Sequence, residues 1–359
     1  VTATSEATRT LVYTEALREG MEAAMAADER VYLMGLGVPD PKGIFGTTLG
    51  LQERFGVARV MDMPTAENGM TGVVIGSALV GMRPVMVHQR VDFVLLALDQ
   101  IANNAAKWHY MFGGRSSVPL VIRLIVGRGW GQGPQHSQAL QATFAHFPGL
   151  KVVAPATPHD AKGMLIAAIE DDDPVIFFEH RWLHPTFGPV PAETYRVPIG
   201  RAHVARSGTD ATIVTSSYLF VESMRAAEAL AARGISVEVV DLRTIRPLDR
   251  ETIVASARRT GRVLVVDGGW KSFGVAAEVI ATIVDGAFAS LACAPQRITF
   301  PDAYTPTTPA LSPGYYPSAT TIANGVRALF GLPAMRDDEL GFASELPRDV
   351  PNPSFRGPF

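Results

Sequence analysis

The chain has 359 residues, 47% of them hydrophobic and 19% charged, more than one hydrophobic core usually organises, which predicts about two globular domains. Its 32 Lys and Arg against 35 Asp and Glu leave a formal net charge of −3. No basic block is dense enough to track a phosphate backbone, so nucleic-acid binding is set aside. No apolar run reaches the ~18–20 residues of a membrane span, and no signal peptide is read in residues 1–25. The single Cys293 excludes an intrachain disulfide framework and a multi-cysteine metal site, and the expected compartment is a reducing cytoplasm.

Taken in chain order, residues 10–26 carry Leu11, Ala16, Leu17, Met21 and Met25 at roughly helical spacing and predict an amphipathic helix. Short apolar runs at 31–34, 57–61 and 85–87 read as strands, with a small-residue helix at 72–80 between them. Residues 92–110 predict one long helix, with Phe93, Leu96, Ile101 and Ala105 along one side. Residues 120–126 form a β-branched run of the kind buried on both faces of a parallel sheet. The alternation resumes with a strand at 152–154, a helix at 161–170 and a strand at 175–178. A Pro- and Gly-rich linker follows, and a second, smaller α/β domain is predicted beyond it. The expected boundaries are 1–195 and 196–335, with a Pro-rich acidic tail over 336–359.

Several motifs are missing. There is no G-x-G-x-x-G in dinucleotide context, no P-loop and no G-x-S-x-G elbow, which removes the usual nucleotide and hydrolase readings. The segment GRGWGQGPQHSQ at 127–138 is too glycine-rich for an element interior and reads as a functional loop. His136 within it has no apolar packing reason to be there, which points to acid–base work or substrate binding. Glu67, just before the small-residue helix, is either a helix-start acid satisfied by backbone N–H groups or a buried acid of raised pKa that donates to a ring nitrogen. Phe93 taken alone reads as core. Asp171, Asp172 and Asp173 oppose the macrodipole at the end of their helix, so something cationic is expected to offset them.

The blocks AENGMTG with Glu67, DFVLLALDQIANNAAKWHYMFGG with Phe93, PQHSQ with His136, PGLKVVAPATPHDAKG and VVDLRTIRPLD, in this order and spacing, closely resemble the β subunit of thiamine-diphosphate-dependent 2-oxo acid dehydrogenases over about residues 10–330. The resemblance implies an α/β fold: a transketolase-like pyrimidine-binding domain with a parallel sheet, then the smaller transketolase C-terminal domain. It implies that Glu67 hydrogen-bonds N1′ of the cofactor's aminopyrimidine and drives the imino tautomer that removes the thiazolium C2 proton. It further implies that Phe93 stacks on that ring and that His136 serves the 2-oxo acid and acyl transfer. A monovalent cation, K⁺, is implied at Leu120, Ala168, Asp171 and Asp173. The family holds Mg²⁺ and the diphosphate with a G-D-G motif, and none occurs here. The chain is therefore expected to supply half a site, completed by an α subunit in an α₂β₂ heterotetramer, with a lipoyl acyltransferase or a small molecule as acceptor. A catalytically silent subunit is the alternative reading.

Two departures bear on substrate and coupling. Leu36-Gly37 stands where the family usually has two acids thought to connect the active sites. His88 and Arg90 in HQRV, and His180 in HRWLH, differ from dehydrogenase-complex subunits. If His88, Arg90, Trp130 and His180 line the pocket, the substrate or acceptor is larger or more polar than pyruvate with a lipoyl arm. The plainer reading pairs Arg90 with Asp92 or Asp99 on the surface.

Overall fold

The computed structural model describes residues 8–129, 131–343 and 349. Trp130 and most of the expected tail lie outside the described residues. The chain forms two compact units. The first takes residues up to 127 and 143–199, and the second takes 128–142 and the residues from 200 onward. The glycine-rich loop thus groups with the second unit, although the strand it leaves belongs to the first.

In the first unit, β1 (Thr8–Val12) pairs antiparallel with β8 (Phe187–Pro191). Between them run α1 (Tyr13–Ala27), β2 (Val31–Gly35), α2 (Leu51–Phe55), β3 (Val60–Met61), α3 (Glu67–Leu79), β4 (Arg83–His88), α4 (Ala106–Met111), β5 (Val121–Val126), α5 (Gln141–Ala145), β6 (Lys151–Val153), α6 (Pro158–Glu170) and β7 (Val175–His180). Six strands lie side by side as β6-β7-β5-β4-β2-β3, each neighbouring pair parallel. Every residue of β2, β5 and β7 is buried, as helices covering both faces of a parallel sheet require. Helices α1 and α6 pack closely because Gly20 has no side chain: a Cβ there would lie 3.1 Å from the Lys162 carbonyl.

The stretch predicted as one long helix is built from three kinds of turn. A 3-10 segment spans Val91–Ala97, a π-helical segment spans Gln100–Ala105, and α4 completes it. Its buried positions, Val91, Val94, Ala97, Ile101 and Ala105, step by three and then by four, following the change in winding rather than one helical period. Phe93 and Leu96 are consequently exposed. Local departures from α geometry of this kind concentrate at functional sites.

The second unit contains β9 (His203–Arg206), β10 (Ala211–Thr215), α7 (Tyr218–Ala231), β11 (Val237–Asp241), β12 (Thr244–Arg246), α8 (Arg250–Thr260), β13 (Val263–Trp270), α9 (Val275–Ala287), β14 (Gln296–Phe300), α10 (Ala319–Ala328) and α11 (Asp337–Leu340). Its sheet has the order β14-β13-β10-β11-β9, with β9 the one antiparallel edge. Ile213, Val239, Leu264, Ile322 and Val326 form the centre of its core. Side-chain caps from Asp249 and Ser318 start α8 and α10, satisfying backbone donors that helix starts leave open.

Candidate active site

The sequence-predicted residues of the first unit gather along one edge of its sheet. Leu36-Gly37 follows β2, Glu67 follows β3, His88 ends β4 with Arg90 just after it, and His180 ends β7. These are carboxyl ends of parallel strands, beyond which open α/β sheets bind ligands. Glu67 is the first residue of α3 and is 6% exposed. No described residue donates a hydrogen bond to its carboxylate, including the N–H groups of its own first turn, so it is not a self-satisfied helix-start acid. Thr71, one turn on, meets Met86 of β4 through its hydroxyl at 3.5 Å from the sulfur. His88 stands two residues after Met86, and side chains alternate along a strand. It therefore leaves the sheet on the α3 face.

Phe93 is 39% exposed, on the 3-10 segment that packs against α3. An accessible aromatic on a segment packed against the helix that Glu67 starts, with no described donor on that carboxylate, suits a flat heterocycle with a ring nitrogen. His88 is 4% exposed, its Nε2 lacks a partner among the described residues, and burial lowers its pKa to about 4. The imidazole is thus neutral at physiological pH. His180 accepts at Nδ1 from the Trp182 N–H at 3.1 Å, which places its ring proton on Nε2.

His136 belongs to the second unit and is half-buried. Its loop is fixed within that unit. The Thr305 hydroxyl donates to the Ser137 carbonyl, the Gln141 amide donates to Asp267, and the Tyr316 hydroxyl accepts from the Gly129 N–H at 3.2 Å. Arg128 lies over the rings of Tyr218 and Tyr316. Gly129 and Gly133 adopt φ of 68° and 65°, and a Cβ on Gly133 would sit 2.5 Å from the Thr307 hydroxyl. The glycines of the loop thus serve backbone geometry.

A family model for the transketolase pyrimidine-binding domain matches residues 9–186, and one for the transketolase C-terminal domain matches residues 200–322. The acetoin:2,6-dichlorophenolindophenol oxidoreductase β subunit of Cupriavidus necator is 41% identical over 87% of this chain and 95% of its own length. The 2-oxoisovalerate dehydrogenase β subunit of Bacillus subtilis is 43% identical over 81% of this chain and 89% of its own. The pyruvate dehydrogenase E1 β subunit of the same organism is 43% identical, covering 81% and 90%. This chain belongs to the β-subunit family of thiamine-diphosphate-dependent 2-oxo acid dehydrogenases. A solved split-gene transketolase, an inactive β4 tetramer, shares the fold with a TM-score of 0.70 at 22% identity, over 90% of this chain and 99% of that one. As a member of this family, the chain is the β half of a heteromeric thiamine-diphosphate enzyme and works with an α subunit.

In this β subunit the proposed cation ligands lie away from that edge. Leu120 precedes β5, while Ala168, Asp171 and Asp173 surround the end of α6 before β7, the amino edge of the sheet. The acidic surplus there meets protein cations. Lys151 Nζ is 2.7 Å from both Asp171 carboxylate oxygens and 3.1 Å from Asp173. Arg83 donates to the carbonyls of Ile169 and Asp171 and to the Asp172 carboxylate. The Leu120 carbonyl accepts from the Val175 N–H. Among the described residues no group of three His, Cys, Asp or Glu side chains could hold a metal ion, and no helix is long and apolar enough to cross a membrane.

Sequence reasoning did not reach the groups that surround Arg90. Arg90 forms no close ion pair with Asp92 or Asp99, although the Asp92 charge acts on its guanidinium against the effect of burial. Its Nη1 donates to the Gln89 carbonyl, and its guanidinium lies 5.0 Å from the centre of the Phe45 ring. Arg181, 1% exposed, lies 4.3 Å from the same centre. Below them the fully buried Arg123 and Glu179 form a two-point ion pair of 2.5 and 3.0 Å, with His184 at 3.6 Å. Burial would raise the Glu179 pKa, but Arg123 and His184 outweigh it and the net shift is downward. Arg123 carries no signal of this pair in the sequence, because its partner is on β7, 56 residues on. The Leu36-Gly37 turn is held by the Gln89 amide on the Leu36 carbonyl and by the Gly37 N–H on Asp62.

Proposed function

We propose that this chain supplies the pyrimidine half of a thiamine-diphosphate site that decarboxylates a 2-oxo acid and passes on the acyl or aldehyde unit. The observation that carries the reading is Glu67: a residue 6% exposed whose carboxylate has no hydrogen-bond partner among the described residues, at the start of the helix against which the segment carrying the accessible Phe93 packs. Both fit the cofactor's aminopyrimidine, whose ring nitrogen would meet the Glu67 carboxyl group and whose face would meet Phe93. When bound, thiamine diphosphate supplies the nucleophilic carbon and the electron sink for decarboxylation. Glu67 would hold and release a proton at its carboxyl oxygen, a position a glutamine can fill but not titrate. His136 is placed on a loop braced by four separate groups, and in this reading it orients the 2-oxo acid and handles protons during transfer. The α subunit would hold the diphosphate and Mg²⁺, in an α₂β₂ heterotetramer. Lys151 and Arg83 offset the charge that a monovalent cation would otherwise answer, so no step is assigned to K⁺ at Leu120, Ala168, Asp171 and Asp173.

The acceptor is either the lipoyl group of an acyltransferase or a small molecule. Calorimetric titration of thiamine diphosphate with Mg²⁺ into this chain alone, and into the chain co-purified with its α partner, tests the shared site. Binding to the pair alone is expected. Tight binding to the isolated chain, or none to either, would sink the half-site reading. In the active pair, supplying lipoyl domain or small aldehydes as alternative acceptors then decides the acyl destination.

A further inference from the structure

Within the first unit, Phe45 occupies the loop between β2 and α2 with φ of 50°. A non-glycine residue in the left-handed region costs free energy, of order 1 kcal/mol or more, and its ring here serves as a platform. Arg90 and Arg181 both lie over it, and the His184 ring is 6.0 Å away. The two guanidinium groups held at this one ring repel each other. The buried carboxylate below them, Glu179, is committed to Arg123.

The chain contains its own controls for what a structural arginine does. Arg59 donates to the carbonyls of Met25, Asp28 and Val31, and Arg83 to two carbonyls and a carboxylate. Both tie elements together through several acceptors. Arg90 does not. Its Nη1 bonds the adjacent residue's carbonyl, its Nε is buried without a partner among the described residues, and it ties no second described element by hydrogen bonding. Arg90 is also the residue before the 3-10 segment, and its carbonyl accepts from the Phe93 N–H at 3.3 Å. Its guanidinium is thus joined by three residues of rigid backbone to the ring proposed to carry the cofactor. His88, two residues earlier, adds a buried imidazole without a partner at Nε2.

We infer that Arg90, stacked with Arg181 on Phe45, binds a terminal oxyanion of the 2-oxo acid, a carboxylate or a phosphoryl-type group that survives loss of CO₂. This rests on the reading of the chain as the pyrimidine half of a 2-oxo acid decarboxylase, and it adds the substrate class. A guanidinium presents a planar fork of donors that matches such an oxyanion two-point. With Nη1 on the Gln89 carbonyl and Nε buried, the guanidinium over Phe45 offers Nη2 and the second Nη1 proton to the oxyanion.

The test uses the reconstituted α/β enzyme with 2-oxobutanoate, 2-oxoglutarate and 2-oxo-4-phosphonobutanoate. The expected kcat/KM favours one or both dianionic substrates over 2-oxobutanoate. Arg90→Gln lowers that ratio by about 10- to 100-fold, the value of charge-assisted hydrogen bonds, and Arg90→Lys restores part of it. The two dianionic arms separate a carboxylate from a phosphoryl site. If Arg90→Gln fails to fold, Phe45→Leu removes the shared platform and lowers the same ratio. A binding readout separates this site from the reaction: succinate or methylphosphonate, against butyramide as neutral control, raises the melting temperature of the full chain, and Arg90→Gln abolishes the rise. If the rise depends on Arg90 while no 2-oxo acid is turned over, the oxyanion site stands and the decarboxylase reading falls. A ratio that Arg90→Gln leaves unchanged, or a melting shift equal in wild type and variant, overturns the inference.

Discussion

His88 offers a direct measurement of the environment beneath the proposed site. In the folded chain its pKa is lowered to about 4 by burial, against about 6.5 in an unfolded chain. The unfolded state therefore takes up a proton between these values that the folded state refuses, and stability rises with pH across that window. The contribution is complete above pH 6.5 and is lost as pH falls toward 4. Two and a half units correspond to roughly 3 kcal/mol in full, and about 2 kcal/mol of it is gone by pH 5. Denaturant unfolding of wild type and His88→Gln at pH 7 and pH 5 isolates this contribution, since the other titrating groups cancel in the difference. The wild type is expected to lose about 2 kcal/mol more than the variant between the two pH values. Equal losses would show that the imidazole is hydrated and would overturn the burial assigned to it here.

Glu67→Gln is expected to reduce decarboxylation by at least about 100-fold, in line with loss of a general acid–base group, while the melting temperature stays within a few degrees; full activity would refute the proton role. His136→Ala is expected to retain cofactor binding by calorimetry and to lose acyl transfer, so an unchanged single-turnover transfer rate would count against the loop assignment. Arg123→Leu leaves Glu179 buried without its cation and should cost about 3–5 kcal/mol, read as loss of soluble protein or a large fall in unfolding midpoint. Lys151→Gln removes the ammonium shared by Asp171 and Asp173 and should cost about 1 kcal/mol without changing kcat/KM, because those acids lie at the opposite edge of the sheet from Glu67.

The parts of the fold that depend on local pattern were legible in the sequence. The β-branched run of β5, the strand Val175–His180 and the helix ending before Asp171 all have the expected identity, because continuous apolar runs and helical spacing directly encode burial on two faces or on one. The stretch 92–110, expected as a single helix, differs for a physical reason. The step from Leu96 to Ile101 is five residues, one more than an α-turn spans, and the extra residue is absorbed by the π-helical segment Gln100–Ala105. That same change of winding leaves Phe93 accessible rather than in the core where its hydrophobicity placed it. Glu67 was legible as a costly acid, and the structure removes the self-satisfied alternative. Arg90 was legible as a candidate pocket residue or as a charge with two nearby acids, but Phe45 and Arg181, which surround it, lie 45 residues before and 91 after. The cations that meet the acidic turn, Lys151 on β6 and Arg83 on β4, are similarly distant in sequence.

The grouping of residues 128–142 with the second unit constrains how members of this family can be recombined. A chimera joined at the linker near residue 200 would inherit its histidine loop from one parent, and Thr305, Thr307, Asp267 and Tyr316 from the other. Those four groups contact the loop at its backbone or at Gln141, so a mismatch would show first as a displaced His136 rather than as an unfolded domain. Exchange of acyl specificity between paralogues therefore calls for a discontinuous graft, in which the fifteen-residue loop travels with the C-terminal half.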